Sequence, residues 1–311
     1  MRTAFIETLL DLARDDDRIV LMVGDLGFGV VTPFMEELPG QFVNAGVGEQ
    51  NMTGMAAGMA LSGKIVFTYS IANFPVLRCL EQIRNDICYH NARVRVVPIG
   101  GGMAYGALGP SHHATEDIAV VRALPNLTVV APGDPVETRL ATQALIEHEG
   151  PAYLRLGRAG EPIVHDEDPA FELGKSITVR EGADICLIAT GGMLHNAVLA
   201  AEALALRRIE ARVLSMHSIK PLDIEAVIDA ARTQAVFTIE EHSVIGGLGS
   251  AVAEVLMEAD VRPNHFKRIG LEGSLSSIVG DQEYLLNYYG LDGQGIVKTV
   301  ELELQKGGRT R

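Results

Sequence analysis

The sequence GVGEQNMTGMAAGMALSGKIVFT, residues 46–68, joins two patterns that together indicate an α/β fold. From Glu49 to Leu61 nearly every residue is small or apolar and the next charge is Lys64, which predicts a closely packed helix over 49–61. The following run, KIVFT, is short, apolar and β-branched, which is typical of a strand. A buried helix that leads into a buried strand is the unit from which layered α/β domains are built.

The same alternation of apolar runs and helical patterns continues on both sides of this stretch. The first series predicts strands at 19–23, 64–68, 93–99, 127–132 and 152–156, with helices near 3–14, 49–61, 76–90, 115–123 and 134–147. The second series predicts strands at 176–181, 184–190, 211–216 and 235–241, helices over 193–207 and 223–232, a helix opened by GGLGS (246–250) and two short helices near the end. We therefore expect two three-layer α/β/α domains with mostly parallel sheets.

A stretch rich in glycine, proline and acidic residues separates the two series. It reads GRAGEPIVHDEDPAFELGK over residues 157–175, a composition that suits a linker. We expect one domain over 1–158, a linker over 159–175 and a second domain over 176–311. The chain length of 311 residues fits two domains of roughly 150 residues each.

Composition excludes several function classes. Hydrophobic residues make up 47% and charged residues 21%, the balance of a globular protein, and the net charge of −14 lacks the basic footprint that nucleic acids require. The amphipathic N-terminal sequence is not that of a signal peptide, and the uncharged run 96–115 carries glycines, prolines and histidines that a membrane span would not hold. Cys79, Cys88 and Cys186 have no disulfide or zinc spacing, so we expect a cytoplasmic protein without membrane or nucleic-acid partners.

Glu49 can be interpreted in two ways from its local sequence. An acidic residue in the first turn of a helix is commonly placed there by the helix dipole. Alternatively, the flanking glycine, alanine and methionine residues would hold its carboxylate against a poorly solvated surface, where it could share a proton with a ligand nitrogen. The local pattern leaves both interpretations open.

Several ordered motifs resemble one enzyme family. The segments that resemble the pyrimidine-binding domain of transketolases are GVGEQNMTGMAAGMALSG (46–63), TYSIANFPVLRCLEQIRND (68–86), GALGPSHHATEDIAVVRALPNLTVVAPGDPVE (106–137) and PAYLRLGR (151–158). Those that resemble the transketolase C-terminal domain are PLDIEA (221–226), EEHSVIGGLGSAVAEVL (240–256) and YGLDGQGI (289–296). The resemblance covers nearly the whole chain in the expected order.

The resemblance implies thiamine diphosphate as cofactor, which serves the family as an electron sink when a two-carbon ketol unit moves between sugars. Glu49 matches the catalytic glutamate that bonds the pyrimidine ring nitrogen. Phe74 and Tyr69 match an aromatic wall beside that ring, and Asp25 matches an aspartate near the thiazolium. A core aromatic is an equal alternative for Tyr69, and a turn or cap residue is the alternative for Asp25.

The resemblance also assigns substrate contacts. His112 matches a substrate-binding and catalytic histidine that can relay a proton. Arg158 and Arg2 match two arginines that hold the terminal phosphate of the sugar, although a surface arginine is a serious alternative for Arg2. The neighbouring His113 does not suggest a metal site, because adjacent side chains rarely converge on one ion.

Three positions depart from the family pattern. A substrate-contacting histidine falls at Gly100, an aspartate that reads a sugar hydroxyl falls at Leu108, and in deoxyxylulose phosphate synthases an arginine falls near Gly101. The predicted site is therefore less polar than that of a pentose-phosphate transketolase. Ketol transfer is expected, while the donor sugar, the acceptor sugar and the nature of the substrate anion stay open.

The motif that binds the diphosphate and its metal ion in this family is not recognisable here. The Gly-Asp pairs at 24, 133 and 280 do not continue as Gly-Asp-Gly with a downstream asparagine. We therefore expect this chain to supply no metal ligands, with Mg²⁺ or Ca²⁺ bound mainly by a partner. That partner would be an N-terminal transketolase subunit, and the expected assembly is a two-plus-two heterotetramer.

Other functions compete with this interpretation. The β subunit of a 2-oxo-acid dehydrogenase shares the split layout and paired histidines, and a deoxyxylulose-phosphate-synthase-like enzyme shares the cofactor. A noncatalytic regulatory subunit is a further alternative, which the presence of Glu49, Phe74 and His112 argues against. The sequence GGLGS (246–250) lacks the full dinucleotide-binding fingerprint.

Overall fold

The structure is a computed structural model that describes residues 1–273 and 275–308. Its strands are β1 (Ile19–Val23), β2 (Phe42–Asn44), β3 (Ile65–Ile71), β4 (Val94–Ile99), β5 (Thr128–Val130), β6 (Ala152–Leu154), β7 (Ile177–Arg180), β8 (Ile185–Ala189), β9 (Ala211–Ser215), β10 (Ser218–Lys220), β11 (Ala235–Ser243) and β12 (His265–Leu271). Its α-helices are α1 (Arg2–Asp15), α2 (Thr32–Glu37), α3 (Glu49–Leu61), α4 (Phe74–Leu77), α5 (Leu80–Gln82), α6 (Asp117–Arg122), α7 (Pro135–Glu147), α8 (Met193–Ala205), α9 (Ile224–Ala230), α10 (Leu248–Glu258), α11 (Gln282–Tyr288) and α12 (Gly293–Gly308).

The strands form two mostly parallel sheets. The first has the order β10–β5–β6–β4–β3–β1–β2, with β10 antiparallel to β5. The second has the order β12–β11–β8–β9–β7, with β7 antiparallel to β9. Hydrophobic clusters cover both faces of each sheet, where helices pack against the strands. The predicted α/β fold class with two layered, mostly parallel sheets is confirmed.

Strand β1 shows why an uninterrupted apolar run forms the middle of such a sheet. Ile19, Leu21 and Val23 join the core formed with α1 and α7, whereas Val20 and Met22 join the core formed with α3. Successive side chains of a strand point to opposite faces, so both faces must be apolar where both are covered. Each such fully buried side chain contributes ~1.5–3 kcal/mol through the hydrophobic effect.

The helix predicted over 76–90 is interrupted. The structure has α4, then α5, then a π-helical turn over Ile83–Cys88. Two contacts end α4: the Cys79 amide donates to the Val76 carbonyl at 3.2 Å, and the Gln50 side chain from α3 donates to the Arg78 carbonyl at 2.8 Å. The Gln50 side chain thus satisfies the Arg78 carbonyl, which a continuous helix would bond to a later backbone amide.

The strands that the sequence did not predict all lie at sheet edges. They are β2 and β10 at the two edges of the first sheet and β12 at one edge of the second. Edge strands are covered on fewer sides and need no continuous apolar run, so their sequence signal is weak. The last helix, α12, is also longer than the short helix predicted there.

Strand β10 lies between β9 and β11 in sequence but completes the first sheet, where Ser218 pairs with Val130 and Lys220 with Val129. The Lys220 ammonium also donates to the carbonyls of Arg122 and Leu124 at the end of α6. One strand from the second predicted domain therefore belongs to the sheet of the first.

A buried polar network joins the two sheets. Arg155 donates to the Asp117 carboxylate at 2.8 Å, and both side chains are almost completely buried, at 5% and 2% exposure. Arg155 also donates to the backbone carbonyl of Glu241 at 3.1 Å. The Glu241 carboxylate in turn accepts the Met103 amide at 2.8 Å and the Gln282 side chain at 2.9 Å. Burial raises the pKa of Glu241 to about 7.

Residues 159–175 form no helix or strand, yet they are tied to both sheets. Asp134, which caps α7, accepts the backbone amides of Val164 and His165 at 2.9 and 3.1 Å. The His165 ring is bonded to the buried Glu137 carboxylate at 2.8 Å. Phe171 stacks on His217 with ring centroids 4.1 Å apart. This segment is thus a packed strap. Within the part of the chain that the structure describes, no helix is both long and apolar enough to cross a membrane.

The raised pKa of Glu241 predicts a specific pH dependence of stability. The folded protein holds this proton more tightly than the unfolded chain, whose glutamate has an ordinary value of 4.5. The contribution of Glu241 is therefore complete below that value and is lost as the pH rises through about 7. Glu241→Gln mimics the protonated form. Between about pH 5 and pH 8, its free energy of unfolding should therefore increase relative to that of wild type by up to ~3 kcal/mol. The change should be seen as a rise in its melting temperature relative to wild type.

The control is Glu258→Gln, which removes an exposed glutamate from the same half of the chain. Its melting temperature relative to wild type should stay flat over that range. A Glu241→Gln difference that does not change with pH would show that the carboxylate is ionised throughout.

Candidate active site

The predicted site residues come from one edge of the first sheet, where its parallel strands end. Asp25 follows β1, Phe74 follows β3, Gly100 follows β4 and Arg158 follows β6. Ligands of open α/β sheets bind at the carboxyl ends of the strands, because loops and helix N-termini converge there.

Glu49 lies at the first position of α3 and is only 3% exposed. Its Oε2 accepts a hydrogen bond from Arg78 Nη1 at 3.0 Å. A Cβ atom on Gly24 would lie 3.8 Å from Glu49 Cγ and 3.4 Å from Ser70 Oγ, so the glycine leaves room between these groups. Ser70 Oγ is buried without a hydrogen-bond partner among the described residues. The carboxylate therefore lies beside a polar atom that has an unused hydrogen-bonding capacity.

Aromatic rings continue from Glu49 towards the loop of His112. The Arg78 guanidinium lies over the Phe74 ring at 4.7 Å from its centroid. Phe74 meets His112 edge to face, with centroids 5.1 Å apart. The Asn73 side chain donates to the Ser111 carbonyl at 3.2 Å and holds this loop against α4. Cation–π and edge-to-face contacts of this kind orient flat side chains along a shared surface.

The far end of this surface is positively charged. The Tyr105 ring lies 6.4 Å from the His112 ring, and the Arg158 guanidinium lies 5.2 Å from the Tyr105 centroid. Burial raises the pKa of Tyr105, while the charges of Arg2 and Arg158 act in the opposite direction. Arg2 Nε is buried and makes no hydrogen bond to the described residues. Together, Arg2 and Arg158 could bind an anionic group beside the Tyr105 hydroxyl.

Two predicted residues make different contacts. Tyr69 is 1% exposed and stacks on Phe5, with centroids 6.3 Å apart, because the alternation of β3 directs it to the α1 face. Burial raises its pKa to about 12. Asp25 is exposed, with a left-handed φ of 55°, and accepts a hydrogen bond from Asn44 at 3.0 Å. The structure thus places Tyr69 in the core and Asp25 at the rim.

The departures from the family pattern have structural counterparts. Gly100 has a φ of +84°, and a Cβ atom there would lie 2.1 Å from the Tyr105 ring. A Cβ atom on Gly101 would lie 2.7 Å from Arg155 Nε, so a larger residue would displace the buried arginine. Leu108 is 55% exposed. Packing inside the chain accounts for the two glycines.

His113, the neighbour of His112, is held by a backbone contact. Its Nε2 lies 3.2 Å from the Gly106 carbonyl, and the residue is buried. Across residues 1–273 and 275–308, no three His, Cys, Asp or Glu side chains are grouped as metal ligands.

Two residues of this surface were missed by the sequence analysis, as was Asn44, which donates to Asp25. Arg78 lies four positions after Phe74 in a helical stretch, so the i, i+4 spacing could have placed it beside Phe74 and the predicted site. Tyr105 is the aromatic residue within the glycine-rich run 100–110. A large side chain in a run of small residues could have indicated a functional position. Asn44 ends β2, a strand too short to be predicted.

Comparison with known proteins shows the family to which the chain belongs. Residues 1–160 match the family model of the transketolase pyrimidine binding domain, and residues 174–296 match that of the transketolase C-terminal domain. An apulose-4-phosphate transketolase subunit from Phocaeicola vulgatus is 42% identical over 302 residues, which are 96% of this chain and 96% of that protein. A 6-deoxy-6-sulfo-D-fructose transketolase subunit from a Clostridium species is 39% identical over 302 residues, covering 96% and 93%.

A solved structure has the same fold over the same extent. It is described as a split gene transketolase in an inactive beta4 tetramer and is 40% identical, with a TM-score of 0.88 and coverage of 98% of this chain and 97% of that one. The prediction drawn from the sequence motifs is confirmed at the level of the family. The chain belongs to the transketolase family of transferases, within which it corresponds in extent to subunits of split enzymes.

Proposed function

We propose that this chain is the catalytic half of a two-polypeptide, thiamine-diphosphate-dependent transketolase that transfers a ketol unit between anionic sugars. The observation that carries the proposal is the continuous surface that leads from the buried Glu49 through Phe74 and His112 to Arg158. A carboxylate, an aromatic wall, a histidine and a cation follow one another along it. The relatives named above, which are subunits of transketolases for sugar substrates, support this class of reaction.

The residues around Glu49 fit an aminopyrimidine. Glu49 has a second oxygen with which to accept a hydrogen bond from a ring nitrogen, and the half-buried Phe74 ring offers a flat apolar contact. Ser70 Oγ, which has no hydrogen-bond partner in the described part of the chain, and the space left by Gly24 provide a further polar contact and room beside the carboxylate. When bound, thiamine diphosphate would supply a carbanion that adds to carbonyl groups and stores the electron pair.

The other residues would bind substrate and handle protons. His112 has an accessible ring whose Nδ1 lies 3.0 Å from Ser111 Oγ, so its other nitrogen is available to hydrogen-bond a substrate hydroxyl or carry a proton. Arg158 and Arg2 would hold the substrate anion. The rest of the cofactor site, including the groups that bind the diphosphate and Mg²⁺, would come from an N-terminal transketolase subunit, most simply in a two-plus-two assembly.

The first prediction from this proposal concerns cofactor binding. Without the partner subunit, the chain offers contacts to the pyrimidine but lacks a recognisable motif for the charged diphosphate. Calorimetric titration with thiamine diphosphate and Mg²⁺ should therefore give binding at least ~10-fold weaker for the isolated chain than for the complex with the N-terminal polypeptide of the same organism. Equal affinities would contradict a cofactor site shared between two chains.

The second prediction concerns Glu49. Glu49→Gln retains hydrogen-bonding capacity but cannot take up or release a proton. The rate of ketol transfer by the reconstituted complex should fall by ~10²–10⁴, with unchanged circular dichroism. Glu36→Gln, an exposed acidic residue on α2, serves as the control and should leave the rate unchanged. Near-normal turnover by Glu49→Gln would remove Glu49 from the chemistry.

The third prediction concerns the substrate anion. Arg158→Ala should raise KM for a phosphorylated sugar by roughly 10- to 100-fold with little change in kcat, because the anion is held equally in the ground and transition states. Arg2→Ala should act in the same direction. The exposed Arg262→Ala is the matched control. If wild type does not prefer the phosphorylated form of one sugar over the unphosphorylated form, the assignment of these arginines is wrong.

A further inference from the structure

The loop 100–109 carries a side chain that neither the sequence motifs nor the family pattern assigns. Tyr105 occupies the space over Gly100, where a Cβ atom would lie 2.1 Å from Cε2 and 2.4 Å from Cδ2 of its ring. The left-handed φ of Gly100 further disfavours a side chain there. Tyr105 therefore takes the position that a side chain at residue 100 would otherwise use.

The loop is held rigidly, so the ring of Tyr105 has a defined place. Gly102 and Ala114 exchange two backbone hydrogen bonds of 2.8 and 2.9 Å. The Met103 amide donates to Glu241 at 2.8 Å, which anchors the loop to the second sheet. A Cβ atom on Gly106 would lie 2.5 Å from the Gly280 carbonyl, so the loop also packs directly against the segment that precedes α11.

The surroundings of the Tyr105 ring connect the two ends of the candidate active site. His112 lies on the side that leads to Phe74 and Glu49, whereas Arg158 lies over the ring itself. The charges of both Arg2 and Arg158 act on the hydroxyl group. A phenol in this position can bond a ligand oxygen that lies between the histidine and the arginines.

We propose that Tyr105 is a specificity-determining residue, whose hydroxyl binds the substrate next to its anionic group and whose ring supports the Arg158 guanidinium. The ligand class is a short sugar with a terminal oxyanion, such as a sugar phosphate. This inference rests on the proposed function for its substrate. The Tyr105 hydroxyl would take the place of the polar contacts that are lost at Gly100 and Leu108, since Tyr105 lies on the loop between these two positions.

The test compares Tyr105→Phe, which removes only the hydroxyl, with Tyr105→Ala, which also removes the ring. Tyr89→Phe is the matched control, because that tyrosine is 81% exposed and lies outside the site. Calorimetry would measure binding of ribose 5-phosphate and of ribose to the two-subunit complex, and steady-state kinetics would measure KM and kcat separately.

We expect Tyr105→Phe to weaken binding of ribose 5-phosphate and raise its KM by about tenfold with kcat nearly unchanged. Tyr105→Ala should abolish the preference for ribose 5-phosphate over ribose, because Arg158 loses its support. If Tyr105→Phe binds ribose 5-phosphate like wild type, the hydroxyl does not contact the substrate and the proposal fails. A complex that binds ribose 5-phosphate in a Tyr105-dependent manner but transfers no ketol unit would overturn the proposed reaction while supporting the role of Tyr105.

Discussion

The buried ion pair between Arg155 and Asp117 is the contact on which the arrangement of the two sheets depends. A guanidinium and a carboxylate with so little exposure need hydrogen-bond partners around them, and among the described residues only Asp117 Oδ1 of the buried atoms of this pair has none, with His242 Nε2 3.9 Å away. Asp117 also accepts the Tyr153 hydroxyl at 2.6 Å, and Arg155 reaches the Ala114 carbonyl at 2.8 Å. These bonds fix the start of α6, the end of β6 and the end of β11 relative to one another. The segments that carry His112 and Arg158 leave directly from these points.

The candidate site combines two environments that the fold keeps separate. Glu49 lies in a buried position at a helix N-terminus, where its carboxylate is paired with Arg78. Arg158 is exposed, and Arg2 is partly buried at the opposite end of the same surface. The aromatic residues between these ends separate the buried carboxylate from the two arginines. A cofactor bound at the first end and a substrate held at the second would be oriented relative to each other before any bond changes.

Sequence reasoning succeeded where local patterns determine structure. The central strands are apolar on both faces and were placed to within a few residues, and the Asp134–Pro135 start of α7 was identified from its capping chemistry, which the 2.7 Å bond to the Glu137 amide explains. Glu49, Phe74 and His112 were predicted from the motifs around them, and contacts through Arg78 connect them in the structure.

The failures have a common cause, which is dependence on distant partners. The helix over 76–90 is broken by a contact with Gln50, and β10 exists because β5 offers it an edge. Arg78 and Tyr105 can be assigned to the site only from the side chains they contact, which are distant in sequence or belong to other segments. From the sequence alone, Tyr69 could contact a ligand or lie in the core. The alternation of side chains along β3 decides between these two positions. No local pattern contains that information.

The position of β10 has a consequence for how this molecule can be recombined. A crossover placed in residues 159–175 would exchange β10 together with the second sheet, although its partner β5 stays behind. Lys220 and the register of Ser218 opposite Val130 would then have to suit a foreign strand and the foreign end of a helix. Chimeras between relatives should therefore treat β5, α6 and β10 as one inherited block, even though nearly a hundred residues separate the first of them from the last.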